Sequence, residues 1–242
     1  MYIKNRLALI EGAETMLAQE HRMEQISNNL ANVDTTGYKK EDVTFWEMMF
    51  TAQDNRPRVG KAMKVITNQD QGSLSTTGNT LDFGISGPGY FKIQTPDGIR
   101  YTRNGNFTLN NGGQLSTMDG NLVLGAGGPI ALESDDVQVG RDGLISANGE
   151  AVNQLALAMF DDPTNLVKEG KNLFRTKNDQ VQESPPVAVD IKQGHLESSN
   201  VNVIQEMTEM IDLHRAYQSQ QKLIQSVDEL DAIAISRVGK LT

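Results

Sequence analysis

Gly113-Gln114-Leu115-Ser116-Thr117-Met118-Asp119-Gly120-Asn121-Leu122-Val123 reads as strand, turn, strand. Asp119-Gly120 supplies the positive-φ positions that a tight hairpin needs, between two runs carrying apolar residues. A weak echo follows at Gly143-Leu144-Ile145-Ser146-Ala147-Asn148-Gly149-Glu150-Ala151-Val152. Further glycine turns stand at Pro96-Asp97-Gly98, Asn104-Gly105, Asn111-Gly112-Gly113 and Asp142-Gly143. Turns repeated at a spacing of roughly ten residues predict antiparallel strands, here over about 72–194.

Outward from this middle the period changes. Residues 3–33 contain no proline, and Leu9, Met16, Met23 and Leu30 recur every seventh position. Ile26 and Val33 supply part of a second seam, which Gly12 and Gln19 interrupt. The spacing predicts a helix of about 45 Å at 1.5 Å per residue. Asn32, Asp34, Thr35, Thr36 and Gly37 carry the turn chemistry that ends it. On the other side, Val203, Met207, Met210, His214, Tyr217, Ile224, Val227, Leu230, Ala234 and Val238 follow 3–4 spacing over 202–238. Ser199-Asn200 can cap that helix, Glu206 and Glu209 suit its early turns, and Gly239 suits its end. Residues 51–71 are polar with neither period and read as an extended connector. Residues 182–186, with Pro185-Pro186, read as a second.

The fold class is therefore α+β, with long, coiled-coil-like N- and C-terminal helices flanking a β-rich centre of antiparallel strands. The expected division is a terminal helical domain from 1–36 and 200–242, a connecting region from 37–80 and 181–199, and an outer β domain from 81–180. An end-helix with an apolar seam must bury it somewhere, and the interrupted seams favour burial between copies.

Composition narrows the function. The chain has 242 residues, a formal net charge of -9 and a pI near 4.9. An acidic chain repels a phosphate backbone, which excludes nucleic acid as a natural partner. With no cysteine there is no disulfide or thiolate metal site. No apolar run is long enough to span a membrane as a helix. The N-terminal apolar run, Leu7 to Ile10, is too short for a secretory signal and is followed at once by Glu11.

Candidate chemical sites resolve into structural ones. Asn28, Asn29 and Asn32 cannot share one helix face, so they read as packing and turn residues. Gly84, Gly87 and Gly89 precede Tyr90-Phe91-Lys92-Ile93, a strand and not the helix a nucleotide loop requires. His21, His195 and His214 lie far apart in sequence without an evident carboxylate set, and His214 sits on the seam. Asp135-Asp136 and Asp161-Asp162 are adjacent pairs whose side chains would diverge on a strand, and both read as solvated loops. No catalytic, cofactor or metal residue is expected. The bet falls on the seams as an assembly interface: Leu9, Met16, Met23, Ile26, Asn28, Asn29, Leu30 and Asn32, with Met207, Met210, His214, Tyr217, Ile224 and Leu230.

Three stretches resemble the flagellar rod and hook axial-protein family. The first is Ser27-Asn28-Asn29-Leu30-Ala31-Asn32-Val33-Asp34-Thr35-Thr36-Gly37-Tyr38-Lys39. The second comprises Gly87-Pro88-Gly89-Tyr90-Phe91, Tyr101-Thr102-Arg103-Asn104-Gly105-Asn106-Phe107 and Gly113-Gln114-Leu115. The third is Gly194-His195-Leu196-Glu197-Ser198-Ser199-Asn200-Val201-Asn202-Val203, followed by Met210-Ile211 and Arg215-Ala216-Tyr217. The resemblance covers nearly the whole chain in the expected order. It implies a structural subunit of a torque-bearing shaft in the basal body, on the periplasmic side, with other rod proteins and copies of itself as partners. It also implies export through the flagellar type III apparatus without signal cleavage. A competing reading is a secreted β-rich glycan-binding module or hydrolase with helical attachments.

Overall fold

The computed structural model describes residues 2–51, 57–132, 137–178, 181–184 and 189–238. The Asp135-Asp136 pair, Pro185-Pro186 and Gly239 lie outside them. The chain forms two compact units. Unit 1 comprises Met1–Ala31, Glu41–Ile66 and Asn202–Thr242, and unit 2 comprises Asn32–Lys40 and Thr67–Val201.

Unit 1 holds helix α1 (Tyr2–Ala31), strands β1 (Glu41–Thr51) and β2 (Pro57–Thr67), which form a two-stranded sheet, and helix α2 (Val203–Val238). Both helices fall within two residues of the predicted spans. The cap differs: Asn202, not Ser199 or Asn200, starts α2, its Oδ1 accepting from the amides of Ile204 and Gln205. The connector read over 51–71 is largely β2. Met63, Val65 and Ile66 are all substantially exposed, so this end of the strand lacks the in–out alternation that sequence reading relies on.

Unit 2 is antiparallel β, as predicted. It begins with β3 (Leu74–Thr76), β4 (Phe83–Ser86), β5 (Tyr90–Thr95), β6 (Gly98–Thr102), β7 (Phe107–Leu109), β8 (Leu115–Thr117), β9 (Leu122–Gly125) and β10 (Gly128–Pro129). It continues with β11 (Val137–Val139), β12 (Leu144–Ala147), β13 (Glu150–Gln154), β14 (Leu157–Ala158), β15 (Leu166–Gly170), β16 (Leu173–Thr176), β17 (Asp190–Gln193) and β18 (His195–Glu197). The main sheet runs β15-β16-β6-β5-β9-β8-β7, with β10 on β9 and β14 on β5. A three-stranded sheet runs β11-β12-β13, and β17 pairs with β4, β18 with β3. The two echoed segments are β8–β9 and β12–β13. Asn148 (φ 54°) and Gly149 (φ 83°) make the second turn between Ala147 and its partner Glu150.

The central strand β5 is covered on both faces. Phe91 and Ile93 enter a core with Phe83, Phe107, Leu115, Val123 and Ile145. Tyr90 points the other way, into a second core with Tyr101, Phe160 and Phe174. Each fully buried large apolar side chain contributes about 1.5–3 kcal/mol relative to exposure, so unit 2 has a sizeable core despite the low aromatic content.

Candidate assembly surfaces and the motif hub

In unit 1, α1 and α2 pair antiparallel within one chain. Gly12 packs against Gln220 and Ile224, Arg22 pairs with Glu209, and Asn29 Nδ2 donates to Glu206 Oε2 at 3.2 Å. Gly12 is thus no mere gap in the seam. A Cβ there would come 2.8 Å from Gln220 Nε2, so hydrogen at this position lets the helices approach. Asn29 exchanges two hydrogen bonds with Glu41, Nδ2 to its carbonyl at 2.9 Å and Oδ1 from its amide at 3.1 Å, and so pins the start of β1.

The predicted seam residues divide. On α1, Ile26 and Asn29 are buried, Leu9, Met16, Met23 and Leu30 half-buried, and Asn28 exposed. Asn32 is half-buried in unit 2. On α2, Met210, Tyr217 and Ile224 are half-buried, whereas Met207, His214 and Leu230 are exposed. The shielded face of α2 is Val203, Glu206, Met210, Leu213, Tyr217, Gln220, Ile224 and Val227. The 3–4 frame therefore passes through Glu206, Leu213 and Gln220 where the apolar pattern suggested Met207 and His214. Glu206 occupies the intrachain seam with a partner there, Asn29.

What the pairing leaves uncovered is apolar. Ile10, Leu17, Trp46, Met63, Val65, Ile66, Ile204, Met207, Ile211, Leu223, Leu230 and Ile233 are exposed. Among the described large hydrophobics, only Ile99, Met118, Leu144 and Val152 are comparably exposed in unit 2. Ile204, the most extreme, is 79% exposed, and Ile204, Met207 and Ile211 form one row at i, i+3, i+7. Beside it, Arg22, Gln205, Thr208, Glu209, Asp212, Leu213 and Ala216 line a groove of about 670 Å³. No helix among the described residues is long and apolar enough to cross a membrane.

Unit 2 brings all three motif stretches to one point. Lys39 from the first donates through Nζ to Glu197 Oε1 of the third at 2.6 Å, and to the Asp70 carbonyl at 2.7 Å. Arg103 from the second donates through Nη1 to Glu197 Oε2 at 3.2 Å and through Nη2 to the Gly87 carbonyl at 2.9 Å. Lys39 and Glu197 are each 1% exposed and Arg103 4%. The Arg103 guanidinium also lies 5.2 Å from the Tyr90 ring centre. Burial pushes the Lys39 ammonium below its ordinary pKa, with Glu197 pulling the other way. Burial raises the Tyr90 phenol to about 12.

A recess of about 330 Å³ next to this hub includes Tyr90, Phe160 and Asp70 in its lining. Its one carboxylate is Asp70. Of the glycine string, Gly84 lies in β4, and Gly87 and Gly89 lead into the strand β5, as read. His21 lies against Glu24 at 3.1 Å, and the His195 ring contacts Thr76 Oγ1 and the Gln193 carbonyl. Asp162 caps the short 3-10 helix Pro163–Asn165. The hub was not foreseen, since its three charges look solvated when read one at a time.

Comparison with known families agrees with this geometry. Residues 12–39 match the family described as Flagella basal body rod protein. Residues 84–147 match the Flagellar hook protein FlgE/F/G D1 domain, and 192–237 the Flagellar basal body rod FlgEFG protein C-terminal family. Lys39, Arg103 and Glu197 each fall within one of these three matches. The chain is 36% identical to the flagellar basal-body rod protein FlgF of Caulobacter vibrioides, over 97% of this chain and 98% of that protein. It is 35% identical to FlgG of Bacillus subtilis, over 92% and 96%. It is 32% identical to FlgG of Agrobacterium fabrum, over 93% and 97%. The chain belongs to the flagellar basal-body rod protein family.

Proposed function

We propose that this protein is a non-enzymatic structural subunit of the flagellar basal-body rod, assembled through unit 1. The observation that carries this reading is the concentration of exposed large apolar side chains on α1, the β1–β2 hairpin and α2. Monomeric proteins rarely leave so much apolar surface uncovered, and contiguous patches mark interfaces. Neighbouring rod proteins and further copies of this chain cover those faces, with coiled-coil-like packing between helices. Contacts made by different surfaces on the two partners propagate and generate a helical shaft. Of the seam residues, the exposed Asn28, Met207, His214 and Leu230 lie on that interface, with the half-buried Leu9, Met16, Met23, Leu30, Met210, Tyr217 and Ile224 at its margin, while Ile26, Asn29 and Asn32 support it from within the chain.

In this reading segments 1–36 and 200–242 are the assembly domain, 81–180 the outer β domain, and 37–80 with 181–199 the connection that carries torque between them. Family membership supports export through the flagellar type III apparatus without signal cleavage and a place in the periplasmic space. The brief 50–72 stretch and Gly125-Ala126-Gly127-Gly128-Pro129-Ile130 favour the proximal rod over the distal rod or hook. The glycan-hydrolase reading finds one carboxylate, Asp70, among the described residues of the recess beside Tyr90, whereas most glycoside hydrolases use two flanking the bond.

The test is a double substitution, Ile204→Asp with Ile211→Asp, in a cell whose own copy is deleted. Both side chains are exposed in the isolated chain, so its unfolding midpoint should not move. Complete basal bodies counted by electron microscopy should fall at least tenfold. Normal rod numbers would remove unit 1 as the assembly surface.

A further inference from the structure

Residues 32–40 leave α1 and lie on unit 2 as a strap that every neighbouring segment stitches down. Its backbone is held by Glu197 (carbonyl from the Gly37 amide, 2.7 Å), Asn172 (Nδ2 to the Thr36 carbonyl, 2.9 Å) and Asn200 (Oδ1 from the Lys40 amide, 2.7 Å). Lys168 adds a bond to the Lys39 carbonyl at 3.1 Å and stands 3.7 Å from the Tyr38 ring centre. Gly37 (φ 67°) sits so close to unit 2 that a Cβ would lie 2.4 Å from the Asn104 amide nitrogen. Of all these, Lys39 is the only strap side chain that carries a charge into the interior.

The charge balance of the hub is lopsided. Two cations share one buried carboxylate, and Arg103 alone would suffice to neutralise Glu197. Burying Lys39 therefore adds a desolvation cost that the core itself does not require. A methionine of similar length would fill the space more cheaply. The excess cation has a purpose if it ties the strap, because its amine reaches both Glu197 on β18 and the Asp70 carbonyl ahead of β3.

We propose that residues 32–40 form a separately opening strap, and that the Lys39 ammonium is the lock that keeps it closed on unit 2. The lock fixes the point, at Lys40, where the chain runs on into β1. Through Glu197 and Asn200 it also fixes the segment that leads into α2. Lys40 and Asn200 are thus both held on unit 2 at a common charged anchor, and a shaft subunit can pass load through that anchor instead of through a loose loop. This last step rests on the proposed rod function; the lock itself does not.

The experiment is amide hydrogen exchange on the purified full chain. Lys39→Met is chosen because Glu197 keeps Arg103 as its partner, so no buried charge is orphaned. Amides of Gly37, Tyr38 and Lys40 are expected to exchange at least tenfold faster than in the parent, while amides of β5 and β6 stay within twofold. Unchanged strap protection would overturn the proposal, since the backbone stitches alone would then hold it. Equal acceleration of strap and strands would also overturn it, since the strap would have no opening of its own. Should Lys39→Met fail to fold, Lys39→Arg keeps the charge but misplaces the donor, and the same ratio of strap to strand rates decides. Because the measurement is made on the isolated chain, its failure leaves the assembly test with Ile204 and Ile211 untouched.

Discussion

Glu197 is the residue on which unit 2 is most exposed to damage. Replacing it with Gln leaves Lys39 and Arg103 buried together without a countercharge, which costs about 3–5 kcal/mol. Lys39→Met should cost clearly less, and urea unfolding of both variants checks the order. Alkaline titration gives a second test. Folded Lys39 gives up its proton below the unfolded value of 10.5, so the unfolded chain binds more protons in that interval and stability should rise with pH through it. Tyr90 acts oppositely: the folded phenol keeps its proton to about 12 against 10.0 unfolded, so stability should fall above pH 10. Two pH units correspond to about 2–3 kcal/mol. Unfolding midpoints measured from pH 8 to 11 should lose the rise in Lys39→Met and lessen the fall in Tyr90→Phe. Each motif was visible in the sequence, yet their meeting was not. Lys39 and Glu197 are 158 residues apart, and no local pattern says that a particular lysine will be buried.

At the level of elements, the existence of both helices was legible and the frame of their pairing was not. Existence follows from long 3–4 periodicity. The frame depends on what each side chain finds opposite, and Glu206 opposite Asn29 outcompetes the neighbouring Met207 for the inner face. The β2 strand was missed for a related reason: its described stretch from Met63 to Ile66 is exposed throughout and carries no alternation to read. Gly12 offers the sharpest element-scale prediction. Alanine there gains helix propensity of about 1 kcal/mol, and the atom it meets is the mobile end of Gln220. Gly12→Ala should therefore raise the thermal stability of the helical signal in circular dichroism, whereas Gly12→Leu, which must displace Ile224 as well, should lower it.

Considered whole, the molecule is one unit with ordinary burial and one whose apolar surface is only partly spent. Unit 2 keeps Phe83, Phe91, Ile93, Leu115, Val123, Ile130 and Ile145 almost wholly out of water. Unit 1 buries one seam and leaves several rows exposed. Local stability should differ accordingly. In hydrogen exchange on the isolated chain, α1 and α2 amides should exchange at least a hundredfold faster than those of β5. Equal protection would mean that the helical pair needs no partners.

The antiparallel pairing of α1 with α2 also sets a schedule for biosynthesis. The two helices are separated by the entire β region, so α1 leaves the ribosome long before α2 exists. At the usual elongation rate of about 5–20 residues per second, its apolar flank waits for roughly 10–40 s with no intramolecular cover. Anything in the cell that binds a solitary amphipathic helix has that interval in which to reach the nascent chain, and loses its foothold once residues 203–238 emerge and close over it.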